Sequence, residues 1–290
     1  MANKVAGAGV ALATPFSADG SIDYAALAKL VGFVADNGVD FLVALGTTAE
    51  TPTLAEEEKA QVLACIKAGN TRRLPLVVGL GGNSTAELVK KIAHFDFEGV
   101  DMLLSVTPYY NKPSQSGLFE HYKAVAEASP VPVMLYNVPG RTGVNLTAET
   151  TLRLAHEVKN VAGTKEASGS LPQIGCILRD MPEGFTVMAG DDGLALPLMA
   201  IGAQGVISVA ANAFPRQISD MVRLATEQRY AEAAKIHRDM IAPIEALFAE
   251  GNPVGVKAAL ALRGIAANVL RLPLVPASDK LMEKMRAFAI

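Results

Sequence analysis

Val161-Ala162-Gly163-Thr164-Lys165-Glu166 is a short apolar run that ends on a lysine and then breaks at Ser168-Gly169. An apolar run of this length, bounded by turn formers and followed by a segment of helical period, marks a buried strand of a parallel sheet. Lys165 then stands at a strand end, where partial burial disfavours the ammonium relative to the free amine, the form that attacks a carbonyl. The bland alternative is a lysine whose stem packs while its charge reaches water. The rest of the chain decides between them.

Outward from this stretch the pattern repeats. Further strand candidates are Val10 to Ala13, Phe41 to Ala44, Leu76 to Val78, Met102 to Ser105, Val133 to Tyr136, Phe185 to Met188 and Gly205 to Ser208. Helical segments separate them, and about eight such units close a (β/α)8 TIM barrel. Asp23 opens one helix, lined by Leu27, Leu30, Val31 and Val34 and ended by Gly38. Thr53-Leu-Ala-Glu56 and Ser84-Thr-Ala-Glu87 fit capping boxes, so Glu56 and Glu87 are expected as helix caps rather than catalysts. Past about residue 225 the alternation stops, leaving helical stretches at Arg229 to Ala249, Pro253 to Val269 and Ser278 to Phe288. The expected organisation is a barrel domain over residues 1–225 and a helical C-terminal domain over 226–290.

A chain of 290 residues, 50% of them hydrophobic, has ample material for a large core. Its net charge of -3 comes from mixed charges without a basic block, which argues against nucleic acid as a partner. Every apolar run is interrupted before the roughly 18 residues that suggest a membrane span, and no charged-then-apolar leader opens the chain. A cytoplasmic location is the expectation. Cys65 and Cys176 form no paired motif and are expected as buried free thiols of a reducing compartment.

In a (β/α)8 barrel the chemistry gathers at the C-terminal ends of the strands. Gly46-Thr47-Thr48-Ala49-Glu50 follows one such run and offers two hydroxyls and turn amides to a small carboxylate. Thr107-Pro108-Tyr109-Tyr110-Asn111 follows another, and Tyr136-Asn137-Val138-Pro139-Gly140-Arg141-Thr142-Gly143 a third. Tyrosine supplies a phenol for proton transfer and arginine a planar fork for a carboxylate. Each also has an ordinary reading, as turn hydroxyl, wall residue or surface ion-pair partner. Gly79-Leu80-Gly81-Gly82-Asn83-Ser84 lacks the third glycine of a dinucleotide fingerprint. Asp191-Asp192 has no histidine at a strand end to complete a ligand set, so no metal site is expected.

These strand-end motifs, with Gly163-Thr-Lys-Glu166, Gly190-Asp191-Asp192 and Gly205-Val-Ile-Ser-Val209, resemble the 4-hydroxy-tetrahydrodipicolinate synthase (dihydrodipicolinate synthase) family along essentially the whole chain. The resemblance implies a TIM barrel with a C-terminal helical domain, assembled as a homotetramer (a dimer of dimers). It implies an enzyme of lysine and diaminopimelate biosynthesis, condensing pyruvate with aspartate semialdehyde without a metal or organic cofactor. By analogy Lys165 forms a Schiff base with pyruvate, and Tyr136, Thr47 and Tyr110 form a proton relay, Tyr110 reaching a neighbouring subunit's site. Thr48, Ile207 and Gly190 match pyruvate-site positions, and Arg141 the position that holds the semialdehyde carboxylate.

A regulatory lysine pocket would correspond to Asn83, Glu87 and Tyr109. Glu56 and Lys59 stand where that pocket usually has histidines, and Pro52 where a small residue is usual, so lysine feedback is expected to be weak or absent. Ala49 and Thr51 stand where the family often has glycine and serine, and a positive φ at position 49 would strain alanine. The alternatives are another pyruvate-dependent lyase, of the N-acetylneuraminate lyase or keto-deoxy-sugar-acid aldolase type, or a barrel that binds a small carboxylate without turning it over.

Overall fold

A computed structural model describes residues 5–288. In chain order the elements begin with β1 (Gly7–Ala11), α1 (Tyr24–Asp36), β2 (Phe41–Ala44), α2 (Glu56–Gly69), β3 (Leu76–Gly79) and α3 (Thr85–His94). They continue with β4 (Met102–Val106), α4 (Gln115–Ala128), β5 (Val133–Asn137), α5 (Pro139–Thr142), α6 (Ala148–Glu157), β6 (Val161–Glu166) and α7 (Leu171–Asp180). Then come β7 (Thr186–Ala189), α8 (Ala195–Ala200), β8 (Gly205–Ser208), α9 (Pro215–Thr226), α10 (Tyr230–Phe248), α11 (Val254–Leu262) and α12 (Asp279–Arg286). The strands lie side by side in chain order and close as a barrel, β1 to β8. This is the (β/α)8 TIM barrel with helices after the last strand. The chain falls into two compact units, one built on Pro75–Ile207, the other on Gly7–Leu74 together with the chain from Ser208 onward.

Within the second unit, β1 starts earlier than expected and stops at Ala11, pairing in parallel register Gly9↔Phe41, Val10↔Leu42 and Ala11↔Val43. The glycines that weaken a strand pattern are required here by close approach. A Cβ on Gly9 would fall 2.1 Å from Cζ of the Phe41 ring. Helix α1 forms as its sequence specifies: the Asp23 carboxylate accepts from the Ala26 N–H at 2.9 Å, and Leu27, Leu30, Val31 and Val34 are buried.

Helix α2 departs from the expected Thr53–Glu56 capping box. Its N-cap is Ala55, whose N–H donates to Glu58 Oε2 at 2.9 Å, while the Thr53 hydroxyl donates to the Glu50 carbonyl. Alanine has no oxygen to cap with, so the box is half-made and shifted two residues along. Glu56 instead pairs with Lys59 at 2.8 Å. Helix α11 ends at Leu262 rather than running on to Val269, because Gly264 takes a left-handed conformation (φ 63°) that stops the helix.

In the first unit, β4 to β7 are consecutive parallel partners, with Tyr136↔Lys165 and Asn137↔Glu166 across β5 and β6, and Lys165↔Met188 across β6 and β7. Strand β6 reaches Glu166, so Lys165 lies inside the strand rather than after it. Ser84 caps α3 by accepting from the Glu87 N–H. The thiols differ from expectation: Cys65 is half-buried and Cys176 is exposed. Cys176 follows Ile174 and precedes Ile177, the two residues that α7 buries, and so faces away from its apolar stripe.

Candidate active site

Side chains alternate across a strand, so the pair Tyr136 and Lys165 occupies one face of β5 and β6, and Asn137 and Glu166 the other. On the first face both side chains are buried, Lys165 at 5% exposure and Tyr136 at 7%. The Lys165 Nζ lies over the tyrosine ring, 4.3 Å from its centroid. The amine is therefore confined by an aromatic face instead of extending to water, against the snorkelling alternative. Gly190, at the end of β7, completes this side. Its N–H donates to the Glu166 carbonyl at 2.7 Å, and a Cβ there would lie 3.1 Å from Lys165 Cε. The position was expected to bind substrate; its observable property is that it leaves room for the lysine stem.

The opposite face carries a polar network that the sequence motifs did not reveal. Glu166 is buried, and its Oε1 accepts from Asn137 Nδ2 at 2.9 Å and from Gln173 Nε2 at 3.2 Å. Its Oε2 accepts from the Ser168 hydroxyl at 2.6 Å and the Ser168 N–H at 3.3 Å. Burial pushes this carboxyl above the ordinary range, while the donors from Ser168, Asn137 and Gln173 pull the other way. Asn137 also ties down the following loop: its Nδ2 donates to Asn145 Oδ1 at 2.8 Å, and its Oδ1 accepts from the Leu146 N–H at 3.0 Å. Between these anchors lies α5, with Arg141 exposed on it and Gly143 ending it at φ 74°. The network thus sets the loop that displays the arginine. Adjacent polar residues in strands β5 and β6 were the available signal.

The remaining expected residues fall as follows. Ile207 is buried in β8. Tyr109 and Tyr110 sit on the loop after β4, which begins with the Thr107 N–H donating to the Tyr136 carbonyl at 3.0 Å. Tyr110 is 88% exposed and held at a positive φ of 72°, an uncommon conformation for a bulky residue. Asn83 joins this loop through its carbonyl, which accepts from Asn111 Nδ2 at 2.9 Å, and Glu87 is exposed in the first turn of α3.

In the other unit, Thr47 and Thr48 form a 3-10 turn directly after β2, with Thr48 buried and Thr47 partly exposed. Asn252 Nδ2 donates to Thr48 Oγ1 at 3.0 Å. The positive φ that would have strained Ala49 falls instead on the next residue, Glu50 (53°), and on Leu45 (55°) just after β2.

A buried lysine within a barrel strand, with a tyrosine ring against its amine, can carry a carbonyl compound as an imine. Known proteins share this architecture. The sequence profile of the Dihydrodipicolinate synthetase family matches residues 4–289. A 4-hydroxy-tetrahydrodipicolinate synthase of Parabacteroides distasonis is 54% identical over 280 residues, 97% of this chain and 94% of that one. The fold is similar to dihydrodipicolinate synthase from Thermotoga maritima (TM-score 0.96, 39% identity, covering 99% of this chain and 98% of that one). It is also similar to the chloride-inhibited enzyme from Acinetobacter baumannii complexed with pyruvate (TM-score 0.94, 40% identity, covering 98% and 97%). With a family profile spanning nearly every residue and relatives of this identity over nearly their whole length, the chain belongs to the dihydrodipicolinate synthetase family.

Proposed function

We propose that this protein condenses pyruvate with L-aspartate 4-semialdehyde to give 4-hydroxy-tetrahydrodipicolinate in lysine and diaminopimelate biosynthesis. The observation that carries the reading is Lys165, buried in β6 with its amine against the Tyr136 ring. The free amine attacks the ketone carbon of pyruvate, water leaves, and a protonated imine results. Loss of a methyl proton converts it to an enamine, whose carbon bonds to the aldehyde carbon while the aldehyde oxygen takes up a proton. Attack of the acceptor's own amine on the imine carbon then closes the ring and frees Lys165.

Each of these steps moves a proton, the role assigned here to the hydroxyls of Tyr136, Thr47 and Tyr110. Thr48, Ile207 and Gly190 are assigned to the pyruvate site. Arg141 is assigned to the semialdehyde carboxylate, and its exposure on an anchored helical turn supports a role in meeting an incoming anion. Asn83, Glu87 and Tyr109 are assigned to the position of a regulatory lysine pocket, with feedback weak or absent because Glu56, Lys59 and Pro52 replace its usual residues. The reading includes a cytoplasmic homotetramer in which Tyr110 serves a neighbouring subunit. Its support is an aromatic side chain 88% exposed on a loop held at positive φ.

Incubation with pyruvate and borohydride, followed by peptide mass mapping, tests the central step. The expected result is a secondary-amine adduct on Lys165, absent from Lys165→Met, together with turnover when aspartate semialdehyde is added. An adduct without turnover would move the reading to another pyruvate-dependent lyase, of the N-acetylneuraminate lyase or keto-deoxy-sugar-acid aldolase type, with a sugar aldehyde as acceptor. Absence of any adduct would refute the Schiff-base chemistry.

A further inference from the structure

A fully buried ion pair lies at the turn that carries Thr47 and Thr48. Glu50, 3% exposed, closes that turn in the left-handed conformation at φ 53° and ψ 35°. Its Oε1 pairs with the Nζ of Lys257, which has 0% exposure on α11, and its Oε2 accepts from the Arg271 N–H at 3.1 Å. Lys257 also donates to the Val269 carbonyl at 2.9 Å and lies 3.8 Å from the Phe16 ring centroid. Just ahead of the same helix, Asn252 donates to the Thr48 hydroxyl. Two side chains from one short stretch, Asn252 and Lys257, therefore grip the same turn at Thr48 and at Glu50.

Stability alone does not call for this arrangement. Withdrawing two charges from water costs several kcal/mol per ion, and apolar replacements for such pairs are often neutral or stabilising. Nor does the backbone call for glutamate, because a left-handed position suits glycine better than any residue with a Cβ. What the pair supplies is direction: one carboxylate with its partners in fixed places fixes the rotation of a turn whose backbone is otherwise strained.

We infer that Lys257 and Glu50 are positioning residues that, with Asn252, hold the turn after β2 so that Thr48 serves the reaction. The inference rests on the role assigned above to Thr48. It gives the C-terminal helices a part in catalysis without contact with the reacting atoms.

The test compares Lys257→Met, the double variant Lys257→Met/Glu50→Gln and Asn252→Ala in the full chain. Steady-state kinetics with pyruvate and aspartate semialdehyde, thermal unfolding and amide hydrogen exchange over residues 45–54 are measured for each. Lys257→Met leaves a buried carboxylate unpaired and is expected to melt lower. The double variant removes that charge and is expected to recover the melting temperature. If the pair positions the turn, the double variant still shows faster exchange over residues 45–54. It also shows kcat/KM for pyruvate reduced by about 10-fold or more, the scale of a misplaced site group.

Asn252→Ala should shift kcat/KM in the same direction with no change of charge. A double variant with wild-type exchange and wild-type kinetics overturns the inference, and it remains decisive if Lys257→Met fails to fold. The underlying reading is checked separately by Thr48→Val. Wild-type kinetics in that variant would remove Thr48 from the site, whereas normal exchange in the double variant would remove the pair from the turn.

Discussion

Gly190 faces the stem of Lys165 so closely that a methyl group there has nowhere to go. Its Cβ would lie 2.7 Å from Ala167 Cβ, 3.1 Å from the Glu166 carbonyl oxygen and 3.1 Å from Lys165 Cε. Backbone and a short side chain on two sides leave the lysine as the only group free to yield. Gly190→Ala is therefore expected to cost about 1–3 kcal/mol of stability from overpacking. It should lower turnover about 10- to 100-fold, because a displacement of a few tenths of an ångström is passed directly to the Lys165 amine proposed to form the imine. Thermal unfolding and kcat measured on the same preparation check both halves; a variant with unchanged kcat would mean that the lysine tolerates the shift. The next residue in β6 works on the other face. Glu166 accepts four hydrogen bonds, and through Asn137 it ties the lysine strand to the loop that carries Arg141.

At the level of elements, the connection from β2 to α2 is held by the chain after α11. The Arg271 guanidinium donates to Glu58 Oε1 at 2.6 Å and Oε2 at 2.7 Å, to the Thr53 carbonyl at 2.8 Å and to the Gly20 carbonyl at 3.0 Å. Hydrogen bonding to Arg271 holds the Glu58 carboxyl down to about 2 from its ordinary 4.5. A carboxyl depressed in the folded state adds stability above its unfolded value and loses it as pH falls toward the folded one. The contribution of this pair should therefore be complete above about pH 4.5 and decline toward pH 2. Urea unfolding of the wild type and Glu58→Gln, taken downward from pH 6, should show a stability gap that narrows below pH 4.5. A constant gap across that range would mean that Glu58 gains nothing from its charge. Both partners are partly exposed, so solvent screening keeps the effect modest.

For the whole molecule, the proposed assembly turns on Tyr110. Its exposed phenol belongs to the proposed relay of a neighbouring subunit, so two defective chains should repair each other. Tyr110→Phe and Lys165→Met are each expected to be nearly inactive alone. Unfolded together and refolded as a mixture, they form hybrids in which one site combines an intact Lys165 with the partner's intact Tyr110. Random pairing in isologous dimers makes half the dimers hybrid, each with one complete site, so recovery should approach about a quarter of wild-type activity. Activity of the mixture no greater than that of the separate variants would confine Tyr110 to its own chain.

The sequence by itself determined the strand-helix rhythm, the barrel and the polar residues at its strand ends, because each is written in local periodicity and in what directly follows an apolar run. Lys165 was legible because a lysine closing such a run is chemically out of place. Tertiary structure alone decided which of its neighbours matter. The expected strand opened at Val10, and only packing shows why Gly9 stands inside β1, where the Phe41 ring occupies the space a Cβ would need. Cys176 looked buried until the stripe formed by Ile174 and Ile177 turned it outward. The grip of Asn252 on Thr48 joins residues 204 positions apart, and the Lys257–Glu50 pair beside it spans a similar distance. A lysine in an apolar helix and a glutamate in a turn are each unremarkable alone; only burial against one another gives them an energetic meaning.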